Sequence, residues 1–224
     1  MHILVAVLLL TATATAATLD VSPDESIHAA IFASHPGDVI VVRAGTYLEH
    51  LRVDKPVTLR GEGMPLLDAT SSGSAITLLA DGVVVEGFRI INAGRLMKET
   101  SPEAGIRVLS SNNTIKGNDI SNNLRGILVQ GGRNNSILDN RVAGNLEFGL
   151  KLSGSSSCRV LNNTLIDNRQ NAFDDGINLW EGNYFSDFDT PGEGCIDRGV
   201  GICEHPYTLP GGGSIDARPR SSPG

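Results

Sequence analysis

Apolar residues in this chain fall in clusters of three to five, separated by Asn, Gly and Ser, and inside a cluster they alternate with polar ones. That period-2 alternation is the signature of strands with one buried face, and the clusters are too short for helices. The clusters also recur. SNNTIKGN (111–118), RNNSILDN (133–140) and SSCRVLNN (156–163) follow one another at 22 and 23 residues, and GIRV (105–108), GILV (126–129) and GLKL (149–152) are interleaved with them. Two motifs sharing one period of about 22 residues define a repeat. Strands this short cannot stand alone, so consecutive coils must stack strand upon strand. The predicted fold is all-β: a right-handed parallel β-helix.

The phase of the repeat places Ile106, Val108, Ile127, Val129, Leu150 and Leu152 inside, in columns. It also places Asn118, Asn140 and Asn163 at equivalent positions, where an asparagine ladder would satisfy buried turn amides from coil to coil. Residues 75–90 have the form of one coil, with Asp81 and Gly82 in its turn. Residues 95–103 read as a polar insertion. Residues 38–182 are therefore assigned to coils.

The flanks read differently. Residues 18–37 carry Ser22-Pro23-Asp24-Glu25, a capping box, followed by Ile27, Ala30 and Ile31 on one helical face and Pro36-Gly37 as a stop. A short helix covering the open edge of the first coil is expected there. From residue 183 the strand period dissolves. Residues 183–217 are expected to form an irregular cap with aromatics over the last coil, and 218–224 a disordered tail. Residues 1–17 contain an uninterrupted apolar run ending in a small-x-small step, which predicts a cleaved export signal and a secreted or cell-surface location. No later segment is apolar for long enough to span a bilayer.

Composition sharpens this picture. Aromatics make up 4% of the 224 residues while Gly reaches 26, which suits a narrow aliphatic core with tight turns. The 18 Lys and Arg are scattered among 25 Asp and Glu, for a net charge of −7, so nucleic acid is not an expected partner.

The PGDVIVV, AGTY and KPVTLRGEGMP elements, the SNNTIKGN-type repeats and the closing GNYFSDF…PYTLPGG…ID together resemble the NosD-like, right-handed β-helix surface proteins of archaea, within the pectin-lyase-like class. The resemblance covers nearly the whole chain after the leader. It implies the fold and export. It also brings a copper label attached to some family members and, from the wider class, lyase and epimerase activities. Neither transfers without the residues that would perform it.

Candidate chemistry is sparse. For copper, His28, His35, His50 and His205, with Met64 and Met97, form no H-x-H or M-x-x-M pair. Asp174 and Asp175 are the candidate acid–base pair of a glycoside hydrolase, although Asp-Asp-Gly before a strand also reads as a turn. Arg107, Arg125, Lys151, Glu103 and Glu147 are the groups available to a lyase, with no demonstrable convergence. The resemblance implies an acidic calcium loop before Pro206-Tyr207, yet the expected positions hold Ile196, Arg198 and Val200. Asp187, Asp189, Glu193, Asp197 and Glu204 remain as a rearranged calcium set, and no other cofactor is implied.

Cys195 and Cys203 flank a short loop containing Gly199 and Gly201 and are predicted to form a disulfide, leaving Cys158 free. Asn112, Asn134 and Asn162 begin N-glycosylation sequons that are equally plain turn chemistry. The reading reached from the sequence is a non-catalytic structural or recognition module directed at cell-envelope carbohydrate or a surface protein. The alternative is a carbohydrate-active enzyme: a polysaccharide lyase, hydrolase or epimerase.

Overall fold

Three parallel sheets wind around one aliphatic core in a computed structural model that describes residues 15–94, 102–188, 194–197 and 199–223. The predicted leader thus lies mostly outside the described residues, as does most of the 95–103 insertion. Each coil contributes a short strand to each sheet, and the coil above pairs with it in register. The first sheet includes Thr58–Glu62 and Ser136–Leu138, the second Ile106–Val108 and Phe148–Ser153, and the third Asp119–Ser121 and Arg141–Ala143. Ile106 pairs with Ile76 on one side and Ile127 on the other, and Ile127 pairs with Leu150. All six side chains assigned inward are fully buried, as expected. At about 1.5–3 kcal/mol for each aliphatic side chain removed from water, such columns are the main favourable contribution to stability. The fold is a right-handed parallel β-helix.

Coil backbones approach closely where the repeat carries glycine. A Cβ at Gly126 would sit 2.5 Å from the carbonyl oxygen of Gly149 and 2.4 Å from Cγ1 of Val142. That contact explains the glycine opening GIRV, GILV and GLKL. The insertion leaves the register intact, because its ends meet: a Cβ on Gly94 would lie 2.9 Å from Cβ of Glu103.

The N-terminal cap differs from expectation in two respects. A strand, Thr18–Val21, precedes the helix and pairs in parallel with Val39–Arg43. The helix then spans Ile27–Ala33 with Ser26 as its N-cap. Ser22 and Glu25 do form half of a capping box, Ser22 N donating to Glu25 Oε2 at 2.7 Å, but inside a turn. Glu49, from the following coil, decides the start. Its carboxylate accepts from the backbone N–H of Ile27 and His28, each at 3.0 Å, satisfying first-turn donors from outside the helix. Ile27 and Ile31 are buried over the first coil.

At the other end Trp180, Phe185 and Tyr207 form the plug. Phe185 and Tyr207 stack at 4.0 Å, and Phe188 meets Tyr207 edge-on. Tyr207–Thr208 pairs antiparallel with Ile215–Asp216, closing an otherwise parallel sheet. Cys195 and Cys203 are joined with Cα atoms 4.7 Å apart, and Cys158 is a buried free thiol.

The expected disordered tail requires correction. Residues 218–223 pack down because Arg220 finds several turn acceptors left open by the last coils. Its Nε donates to Gly182 O at 2.8 Å, and its Nη2 to Asn163 O at 3.2 Å and Thr164 Oγ1 at 2.8 Å. Ser221 also donates its hydroxyl proton to Asp197.

Candidate functional surfaces

Three columns of buried polar side chains run along the coil corners. In the central one Nδ2 of Asn118 donates to Oδ1 of Asn140, Asn140 to Asn163, and Asn163 to Asn183, each at 3.0 Å. Every Oδ1 also accepts the next backbone N–H, as Asn140 does from Asn118 N at 3.1 Å. A second column links Asn123, Asn145, Asn168 and Asn171. The third begins with Asn113 and Asn135 and meets Cys158. The repeat made the central ladder legible; the other two carry the same signal.

The candidate acid pair sits at the end of that third column. Asp174 is fully buried. Its Oδ1 accepts from Gly176 N at 2.9 Å and Asn178 Nδ2 at 2.8 Å, and its Oδ2 from Trp180 Nε1 at 2.8 Å. Asp175 faces away and accepts from Gly154 N and the Ser153 hydroxyl. The two carboxylates therefore do not converge on a shared space: Asp174 ends its strand pointing inward, and Asp175 opens the turn that leads to Ile177–Glu181.

The calcium set is likewise dispersed. Asp187 accepts from the Tyr207 hydroxyl at 3.2 Å. Burial and this neighbouring carboxylate raise the Tyr207 pKa. Asp197 caps its own loop, accepting from Gly199, Val200 and Gly201 N–H and from Ser221, and these bonds hold its carboxyl below the usual range. Glu204 is exposed, while Asp189 and Glu193 lie outside the described residues. Among the described residues no three His, Cys, Asp or Glu side chains gather as a metal site.

The sequon residues Asn112, Asn134 and Asn162 are exposed and hold left-handed turn conformations, with φ of 59°, 54° and 58°. The hydroxyl of Thr164, within the third sequon, is taken by Arg220 and the Pro223 carbonyl.

Some of the lyase candidates do come together. Arg125 is nearly buried, forms an ion pair with Glu147 and reaches the Glu103 carbonyl at 3.4 Å. Oε2 of Glu103 is buried without a hydrogen-bond partner. Arg107 and Lys151 share an outward column on the second sheet, two coils apart, with Leu128 between them. Arg125 was not expected to join anything. Its placement depends on where the insertion returns the chain, which the repeat does not encode.

Compared with known proteins, residues 68–190 match the family described as "Periplasmic copper-binding protein (NosD)". The chain belongs to the NosD family. A NosD-type relative, the "Probable ABC transporter binding protein NosD" of Pseudomonas aeruginosa, is 34% identical over 45% of this chain and 24% of its own length. A "Cell surface glycoprotein" of Methanothermus fervidus is 43% identical over 25% of this chain and 9% of its own length. The chain thus spans a quarter or less of these curated relatives. In structure it resembles pectate lyase Pel9A, with a TM-score of 0.59 and 15% identity, over 77% of this chain and 62% of that one. At that identity the likeness concerns the β-helix alone.

The copper in the NosD description does not fit the donors described here. No histidine lies within the matched residues. His28, His35, His50 and His205 are exposed and spread from the cap helix to the C-terminal cap, and the His50 ring is bonded to Ser74 O at 2.9 Å. Cys158 is buried, with its thiol near the carbonyls of Gly132 and Ser156, and burial raises its pKa. Met97 lies outside the described residues. A copper site needs several soft or imidazole donors at one point, and these do not share one.

Proposed function

We propose that this protein is an extracytoplasmic β-helix module that recognises carbohydrate at the cell envelope. One observation carries the reading. The buried carboxylate that most resembled an active-site acid, Asp174, has both oxygens occupied by Gly176, Asn178 and Trp180, which makes it a structural terminus. The polar interior serves to build a rigid rod, and what the rod presents outward is long, regular sheet faces. Family membership, the leader-like first residues and the likeness to a cell-surface glycoprotein support placement outside the cytoplasm. No helix among the described residues is long and apolar enough to cross a membrane.

A glycan-array screen run beside an assay for unsaturated uronide release tests the reading. Binding without product release is expected. Turnover on pectate, alginate or polygalacturonate that vanished in Asp174→Ala would overturn it.

A second reading, a polysaccharide lyase, is favoured by Arg125 with Glu147 and the unpartnered Oε2 of Glu103 at the edge of the second sheet. Uronide release abolished by Glu103→Gln, in a variant that melts like the parent, would establish it.

A further inference from the structure

The three outer faces of the rod differ in how they treat charge. On the first sheet Arg43 pairs with Asp20 and Glu62, and Glu86 is held between Arg60 and Lys116. On the third, Arg141 pairs with Asp119 at 3.2 Å. These are coil-to-coil ion pairs between stacked neighbours, and they neutralise much of the charge on the two faces locally. The second sheet is built differently. Its outward column reads Arg52, Thr77, Arg107, Leu128, Lys151, Phe173, each stacked on the next in register; Leu128 is buried, while Arg52 is exposed and Arg107, Lys151 and Phe173 are partly exposed. None of its three cations forms an ion pair with a carboxylate among the described residues. Arg107 donates from Nε to the neutral Gln130 Oε1 at 2.9 Å. Carboxylates near this column are engaged elsewhere: Asp175 accepts from Gly154 N and the Ser153 hydroxyl, and Glu147, at the sheet edge, pairs with Arg125.

Two features make the column more than a solvated stripe. Cations alternate with uncharged residues, so they recur every second coil. With coils stacked ~4.8 Å apart the positive charges lie ~10 Å apart along the axis, about the length of a disaccharide in an extended glycan. Lys151 is also held in place. Its Nζ lies 4.5 Å from the Phe148 ring centre and 4.9 Å from that of Phe173, and the two rings meet edge-on at 5.9 Å. Positioning the ammonium over two rings lowers the entropy lost when it meets an anion. Phe173 continues the column and offers an apolar surface to one face of a sugar ring.

We infer that this column binds an extended anionic polysaccharide lying along the axis of the β-helix, with a uronate carboxylate against Arg52, Arg107 and Lys151 at every second sugar. The inference rests on the carbohydrate-recognition reading above and adds to it a ligand class and a surface. An extended acidic peptide fits less well, because its same-side residues recur every ~6.7 Å and drift out of phase with the cations.

The test is calorimetric titration of the full chain with hyaluronan and polygalacturonate oligosaccharides, with neutral cellohexaose and poly-glutamate as comparators. The uronate oligosaccharides are expected to bind, with affinity falling as salt rises. Arg107→Gln and Lys151→Gln should each weaken binding about tenfold, the loss expected for one charge-assisted hydrogen bond. Arg159→Gln, which removes a cation from the first sheet, should leave it unchanged. Equal weakening by Arg159→Gln, or equally tight poly-glutamate binding, would reduce the face to a general polyanion surface and overturn the inference. If glycans bind but Arg107→Gln and Lys151→Gln have no effect, the ligand lies elsewhere: the inference fails and the recognition reading stands. If no glycan binds, both fail.

Discussion

Asn183 donates from Nδ2 to Oδ2 of Asp216 at 2.8 Å, and that contact ends the central ladder. An asparagine column has a direction. Each Oδ1 accepts from the preceding coil, and each Nδ2 gives one of its protons to the Oδ1 of the following coil, so the last member always has a donor left over. The terminal partner must therefore accept only, which an ionised carboxylate does. Asp216 takes the Nδ2 and backbone N–H of Asn183 together with the N–H groups of Gly182 and Arg218, and it is fully buried. Asp174 does the same for Asn178.

Direction gives a matched pair of substitutions. Asp216→Asn turns an NH2 group toward donors, and Asn140→Asp turns an oxygen toward Ile115 O and Asn163 Oδ1, which now receive its protons. Each should cost about 2–3 kcal/mol, the usual penalty of an unsatisfied buried polar group. The measurement is urea unfolding. A neutral result for Asp216→Asn would mean that the ladder's polarity is not set by its terminus.

Ile127→Asp should prevent folding of the stack. Its side chain lies in the middle of the buried column between Ile106 and Leu150, and an unpaired charge there costs several kcal/mol. Far-ultraviolet circular dichroism reads the outcome. A soluble variant with a wild-type spectrum would show that the inward phase is misassigned.

Trp180 is the only tryptophan, so its fluorescence reports on the Asp174 terminus directly. Asp174→Ala should shift its emission to the red and lower stability by about 2–3 kcal/mol, since the indole N–H and two further donors lose their acceptor. Unchanged emission would place the indole hydrogen bond elsewhere.

Alkaline pH should loosen the C-terminal cap. Burial and the Asp187 carboxylate raise the Tyr207 pKa above its ordinary 10.0, so the folded state retains a proton that the unfolded state gives up. That contribution is complete below about pH 10 and is lost as pH rises through the folded value. Cys158, raised from 9.0 by burial, adds the same sign from about pH 9. In a Cys158→Ala background, Tyr207→Phe should therefore reduce the remaining alkaline slope in the melting temperature, leaving the part due to Tyr47, whose pKa is also raised by burial and by the neighbouring Glu25, Glu49 and Asp24. A slope that persists unchanged would assign it to another group.

Reduction should destabilise the cap and spare the coils. The Cys195–Cys203 bond closes a loop with a sequence separation of 8, which in the chain-entropy model is worth about 2–3 kcal/mol. A non-reduced tryptic digest should yield one species joining the peptides that carry these two cysteines. Cys158 found bridged to either would contradict the pairing.

The repeat itself is local information. Strand length, inward phase, the aligned asparagines and the Gly126-type approaches all follow from period-2 alternation on a period of about 22 residues, because each coil meets the next in the same way. The closing aromatics and the cysteine pair were legible for a similar reason: they lie close together along the chain. What only the tertiary structure decided is what happens where the repetition stops. Glu49 moved the helix start from Ser22 to Ser26 by reaching in from the next coil. Arg220 ordered a tail whose composition read as disordered. Asp174 and Asp216 became ladder termini, the latter 33 residues after its partner Asn183. The pairing of Arg125 with Glu147 and the neutralisation of two faces but not the third depend on which residues stack across coils. The sequence repeats the coil, but the acceptor that completes an unpaired donor at its end is found only in three dimensions.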